Sequence, residues 1–474
     1  MVLQPTSHHE LTQLFELQRK YAPQMAQTSA AERRQRLGTL ERFLLDQGKM
    51  EGLFEALKAD FSKPRAEVLL SEISVVLQHL RHTRAHLRRW MQPKSVDAPL
   101  MLTGVRTSVY YEPKGVCLIL SPWNYPFNLA LSPLVDAIAA GNTAVIKPSE
   151  VTVHTSAFIK QMIAELFPPE EVAVVEGDAS VAQSLLDLPF DHIFFTGSPQ
   201  VGKLVMAAAA KHLASVTLEL GGKSPVVIDQ TADLEQQAYR LAWAKCLNKG
   251  QTCIAPDYVL LHESLKDAFV DAYRKALKKL YPGDELQSSA DYCRIVNLRH
   301  TQRLRNLYED AIAKGAREAI GNAWNENERF VPPTLLTEVH TGMDIMQEEI
   351  FGPLLPVMTY RDPADAIRLI QSQPKPLTIY ICSKDKAFTE QLLRQTSSGS
   401  AVVNDFMLSF ASPELGFGGV NNSGIGQYMG YEGFLAFSNQ KPVLKRRFLD
   451  LSIVYPPYTP RVEKLLQFIG RWIA

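Results

Sequence analysis

The chain has 474 residues, 50 basic and 50 acidic side chains, a formal net charge of zero and 46% hydrophobic residues. This length suits two or three domains with substantial cores, and the neutral balance gives no reason to expect bulk binding to nucleic acid or anionic lipid. The five cysteines, Cys117, Cys246, Cys253, Cys293 and Cys382, form no C-x-x-C pair, so neither a disulfide framework nor a metal site is expected, and a reducing, cytoplasmic setting fits best.

Met1 to Glu10 carries two histidines and no apolar run, so no secretory leader is read there. No stretch approaches about 18 uninterrupted apolar residues, so no spanning helix is expected. From Leu11 to Trp90, leucines recur at spacings of three and four with charges between them, which predicts helices broken once, at Lys63-Pro64. The basic run Arg81 to Arg89 reads as a solvated helix surface, because no flanking segment extends the charge.

Thr107 to Tyr111 alternates like a strand, and Val116 to Leu120 is a continuous apolar run like a buried parallel strand. Pro122-Trp123-Asn124-Tyr125-Pro126-Phe127 follows it. Two prolines stiffen this turn, and Asn124 supplies its one side-chain amide donor. A fixed amide donor suits a developing oxyanion; an asparagine bonding its own backbone is the alternative.

A strand–helix rhythm then begins: Ala144 to Ile146, a helix over Ser156 to Leu166, Val172 to Val175, a helix over Ala179 to Leu186, and His192 to Phe195. This βαβ pattern implies a doubly wound parallel sheet. Lys147 and Glu150 stand where the strand Ala144 to Ile146 ends. Both can bond a ribose diol, and Glu150 would repel an added 2′-phosphate; a surface pair beside a turn is the plainer reading. Gly197-Ser198-Pro199-Gln200-Val201-Gly202 lies between a strand and a helix over Val201 to His212. Its G-x-x-x-x-G spacing suits a pyrophosphate at a helix N-terminus, and equally an ordinary turn.

Ser215 to Leu220 is the next strand, with Glu219 near its end. A carboxylate there is costly to bury without a role and suits a general base; pairing with Lys223 is the alternative. After Gly221-Gly222 the α/β pattern restarts, with strands at Pro225 to Ile228 and Tyr258 to Leu261 and helices at Asp233 to Leu247 and Leu265 to Leu280. Between them, Gly250-Gln251-Thr252-Cys253-Ile254-Ala255-Pro256 puts a cysteine on a turn among small and polar residues. A thiol so placed can be open to solvent and ionised, and the thiolate is the nucleophile. Glu348 to Pro353 and the glycine-rich run Gly416 to Gly424 fit either irregular active-site walls or connections.

Together these residues resemble an aldehyde dehydrogenase, in order, from Ala59 to Tyr458. The run Asn248 to Tyr258, Trp123-Asn124-Tyr125-Pro126 and Tyr455-Pro456-Pro457-Tyr458 resemble the class-three branch, which includes fatty and aromatic aldehyde dehydrogenases. The resemblance implies an α/β fold with a Rossmann-like doubly wound cofactor domain (1–97 and 114–220), an α/β catalytic domain (221–420) and a bridging arm of β-strands (98–113 and 437–452), followed by a tail (453–474). It implies Cys253 as nucleophile, Glu219 as general base and Asn124 as oxyanion donor. Lys147 and Glu150 match ligands of the adenosine ribose, Gly197, Ser198 and Gly202 the pyrophosphate turn, and Glu349 the nicotinamide ribose. Phe351, Trp123 and Leu220 complete the cofactor-binding set. The cofactor is NAD, with NADP as the alternative, and the implied assembly is a homodimer.

Met429 and Asn439 depart from the histidines common in that branch, Gly416 from a proline, and Pro122 follows the wider family. These departures bear on substrate shape and loop rigidity. The expected reaction is oxidation of a medium- or long-chain aliphatic or an aromatic aldehyde to the acid. Rival readings are a relative releasing its thioester to coenzyme A, an acyl-phosphate reductase, and a non-catalytic binding protein. Arg461 to Ala474 has apolar residues at helical spacing, too short and charged to span a membrane. Packing on protein is favoured over peripheral membrane contact.

Overall fold

The computed structural model describes residues 7–99, 102–283, 286–448, 452 and 455–473. The N-terminal region is helical, but it is broken more often than Lys63-Pro64 alone requires. Helices run over His8–Ala26, Ala30–Leu45, Gln47–Phe61, Arg65–Val68 and Ser74–Trp90, with a π-helical turn at Leu69–Ile73. Caps set the extra breaks. Ser7 with Glu10 and Ser29 with Glu32 form capping boxes, and Asp46 accepts from the N–H groups of Gly48 and Lys49. Within the basic run, Arg81 and Arg84 both pair with Glu41 of a neighbouring helix.

Among the described residues the strands form three sheets. The first runs Val172–Val174, Thr143–Lys147, Val116–Leu120, His192–Gly197 and Ser215–Leu220, all parallel, and closes with antiparallel Gly424–Ile425. Val116–Leu120 and Thr143–Lys147 are buried along their whole length, as a parallel strand covered by helices must be. Each apolar side chain buried there contributes about 1.5–3 kcal/mol, so this sheet is a stiff base. Its register aligns the carboxyl ends: Leu120 lies beside Lys147 and Phe195, and Gly197 beside Leu220. Lys147, Gly197 and Leu220 therefore emerge along one edge, where open α/β sheets take ligands.

The second sheet runs Arg317–Ile320, Thr334–Thr337, Leu354–Tyr360, Tyr258–His262, Pro225–Ile228, Thr378–Cys382 and Ser400–Val403, parallel except for its first strand. The chain passes from the first sheet, at Ser215–Leu220, to the second, at Pro225–Ile228, through the segment that holds Gly221-Gly222. In the third sheet Val105–Pro113 pairs with Lys94–Ser95 on one side and Ser438–Arg446 on the other. The strand expected at Pro442 to Leu451 thus begins earlier and ends at Arg446; positions 449–451 lie outside the described residues, as does Ala474. The C-terminal helix covers Pro460–Ile473.

Candidate active site

The loop carrying Cys253 is built by backbone that few residues tolerate. Asn248 and Lys249 both have positive φ, 48° and 58°, and Gly250 follows at 72°. A side chain at Gly250 would overlap the main-chain oxygen of Gly352. Strain of this kind costs on the order of 1–3 kcal/mol per residue and persists only where surroundings enforce it. Here Gln251 is the clamp: its Nε2 donates to Asn248 O at 3.0 Å and Arg294 O at 3.1 Å, and its Oε1 accepts from Val296 N–H at 2.9 Å. The Nζ of Lys249 donates to Cys293 O at 2.8 Å. Glu67 accepts from Asn248 N–H at 2.9 Å.

Asn124, four residues past the end of Val116–Leu120, meets this loop. Its Nδ2 donates to Gln251 O at 3.0 Å, and its main-chain oxygen accepts from Asn248 Nδ2 at 2.9 Å. Next to it, the hydroxyls of Tyr125 and Thr252 lie 2.8 Å apart. Asn124 therefore bonds across to the cysteine loop, and not to its own backbone in the manner of a turn residue.

Glu219 is buried, and neither of its side-chain oxygens has a partner. Desolvation raises its pKa well above the ordinary carboxyl range. Lys223, the expected alternative partner, bonds elsewhere: to Asp257, to Ile345 O at 2.7 Å and to Glu348 O at 2.8 Å. The Oδ1 of Asp257 accepts from Ile350 N–H at 2.9 Å. Lys223 and Asp257 thus tie the loop holding Glu349 and Phe351 to the strand that follows Cys253. Glu349 is half-buried, with its Oε1 enclosed and unpartnered. Burial, and then the nearby Asp257, push it up to about 8.

The expectation of an ionised thiol does not hold in this state. Cys253 is half-buried, and its pKa is pushed up to about 12, first by burial, then by Glu349 and Glu219. The N–H groups of Cys253 and Ile254 favour the thiolate, but they are outweighed. The other four cysteines are free and buried.

The remaining residues match a dinucleotide. Lys147 Nζ bonds Glu150 Oε2 at 3.0 Å at the strand end. Ser198 caps the helix Pro199–His212, its Oγ accepting from Val201 N–H at 3.4 Å. A Cβ on Gly202 would lie 2.7 Å from Leu220 Cδ2, and one on Gly221 would overlap Glu349. Thr196 Oγ1 and Glu349 Oε1 are buried without partners. A bare backbone cradle with unspent polar atoms along the sheet edge fits NAD(P). Trp123 stands edge-on to Phe351 at 5.3 Å and lies 4.8 Å from His300.

On the other side of Cys253 lies a mostly apolar cleft, walled by Val75, Tyr125, Leu129, Phe410, Phe417 and Met429. Sequence reasoning singled out Met429 for its departure but missed Val75, Leu129 and Phe410, which come from two helices and a distant loop. No local pattern marks them. In the glycine-rich run Phe417 walls the cleft, and Gly424 is not a mere connection but pairs with Glu219 as part of an added strand.

A profile described as the aldehyde dehydrogenase family matches residues 4–443. The 4,4′-diaponeurosporen-aldehyde dehydrogenase of Staphylococcus aureus is 43% identical over 417 residues, 88% of this chain and 90% of that one. A rat enzyme named aldehyde dehydrogenase, dimeric NADP-preferring, is 38% identical over 431 residues, 91% of this chain and 93% of that one. Among solved structures, the substrate-bound state of Staphylococcus aureus AldH superposes with a TM-score of 0.92 at 40% identity, covering 97% of this chain and 99% of that one.

Proposed function

Because the chain belongs to the aldehyde dehydrogenase family, and so is an NAD(P)-dependent enzyme that oxidises an aldehyde, we propose that Cys253, Asn124 and Glu219 carry the chemistry. The Cys253 thiol releases its proton to water, and the thiolate attacks the carbonyl carbon, forming a thiohemiacetal. Asn124 Nδ2 and the Cys253 N–H stabilise its oxyanion. When bound, NAD(P) supplies the hydride acceptor. Cys253 is then left as a thioester. Glu219 takes a proton from water, which attacks the acyl carbon and frees the acid. A buried base with both oxygens uncommitted supports this reading over release to coenzyme A and over a non-catalytic role.

Lys147 and Glu150 would hold the adenosine ribose, Gly197, Ser198 and Gly202 the pyrophosphate, and Glu349 the nicotinamide ribose, with Trp123, Leu220 and Phe351 lining the site. Glu150 favours NAD. The apolar cleft favours aliphatic or aromatic aldehydes without charge. The observation that carries the proposal is Glu219, unpartnered, within electrostatic reach of Cys253. The test is NADH formation from a medium-chain or aromatic aldehyde, lost in Cys253→Ser; turnover in that variant would overturn the nucleophile.

Among the described residues no strand pairs with the outer side of Ser438–Lys445, and Leu444 is exposed. Such an edge needs cover, and a second copy of this chain is the occupant we propose, as in the rat relative named dimeric. No helix among the described residues is long and apolar enough to cross a membrane, and five free thiols suit the cytoplasm.

A further inference from the structure

His82 and His86 sit four residues apart on the helix Ser74–Trp90, so both face the same way. Glu414, from the loop after Ser400–Val403, reaches over them; its Oε1 lies 3.7 Å from His82 Nε2. One ligand atom from each of the three falls within 4.8 Å of the other two. The Nδ1–H of His86 donates to His82 O at 2.9 Å. That bond fixes the tautomer and leaves Nε2 with its lone pair outward, as in ligating histidines. The rings are also packed: His82 and His86 lie 4.3 Å apart, and Trp90 stacks on His86 at 5.8 Å and 18°.

We propose that His82, His86 and Glu414 bind a divalent transition-metal ion of the zinc class, clasping the loop that holds Glu414 to the helix Ser74–Trp90. Two imidazole nitrogens and one carboxylate oxygen make a zinc-type donor set, leaving the fourth tetrahedral position to water. Bonds of about 2.0–2.2 Å need ligand atoms roughly 3.4 Å apart. Glu414, at 3.7 Å from His82 and with its side chain 69% exposed, has little to move on that side.

The same helix already holds this loop at one point, where Gln78 Nε2 donates to Ala411 O at 3.0 Å. The neighbouring Phe410 walls the cleft beside Cys253. A metal would therefore fix one wall of the cleft without touching the reacting atoms, and its binding does not depend on the roles given to Cys253 or Glu219.

The test is calorimetric titration of the full chain with zinc chloride. One equivalent is expected to bind saturably. Affinity should fall at least tenfold in His82→Ala and in His86→Ala, and by less in Glu414→Gln, whose exposed site leaves the core intact. Cobalt(II) added to the unmutated chain should give visible d–d absorption that zinc removes. Absence of a saturable equivalent, or a titration unchanged by both histidine substitutions, overturns the site.

Discussion

Asn124 donates from its side-chain amide to the main-chain oxygen of Gln251, two residues before Cys253, at 3.0 Å. The turn that ends a strand of the first sheet is thereby locked to the strained loop that carries the sulfur. Both the proposed donor and the proposed nucleophile are placed before any substrate arrives, which is the condition for electrostatic stabilisation without reorganisation.

Asn124→Ala should lower kcat by about 100- to 1000-fold. It should also cost about 1 kcal/mol of stability through the lost bond to Gln251. Steady-state NADH formation and thermal melting measure the two effects separately. A change in kcat of only a few-fold would remove Asn124 from the oxyanion site.

Glu219→Gln should stop turnover after acylation. A burst of NADH close to one per active site is expected, followed by a steady rate about 10²–10⁴ times slower than normal. The raised pKa of Glu219 fixes the sign of the pH dependence. Its base form is lost as pH falls, so the deacylation rate of the unmutated enzyme should rise with pH. A variant that loses the burst, or keeps full steady-state rate, contradicts the assignment.

Glu349 keeps its proton up to about pH 8, against an ordinary value of 4.5. Between those limits the folded chain holds a proton that the unfolded chain releases. The stability it confers is full below 4.5 and is lost as pH rises to about 8. Without cofactor, Glu349→Gln should therefore melt with a shallower decline between about pH 5.5 and 8 than the unmutated chain. Parallel melting curves would place the Glu349 proton elsewhere.

Gly221→Ala sets a methyl group on Glu349 and must displace it. If Glu349 holds a ribose hydroxyl, NAD affinity should fall about 2- to 10-fold, the worth of one hydrogen bond between neutral groups. Fluorescence titration with NAD reads this directly. Unchanged affinity would exclude Glu349 as a cofactor ligand.

The strands were the most legible part of the fold. Ser215–Leu220 and Val116–Leu120 keep the bounds read from sequence, and Val116–Leu120 is apolar throughout, as a strand buried on both faces must be. The N-terminal helix breaks were missed where a leucine period outweighed the Ser-x-x-Glu spacing at Ser29 and Glu32. Of the candidate site, Asn124, Glu219 and Cys253 could be picked out in the sequence, but their electrical state could not. Cys253 reads as exposed from its polar neighbours, while its pKa is set by burial and by Glu349 and Glu219, which are far away in sequence. The Lys223–Asp257 pair was invisible for the same reason: only the fold brings them together.

The whole proposal stands on a covalent acyl group carried by one sulfur. Rapid acid quench during turnover, followed by mass analysis of the peptide holding Cys253, should reveal the added acyl mass, at higher occupancy in Glu219→Gln. Peptide of unmodified mass at every time point, in both proteins, would contradict it.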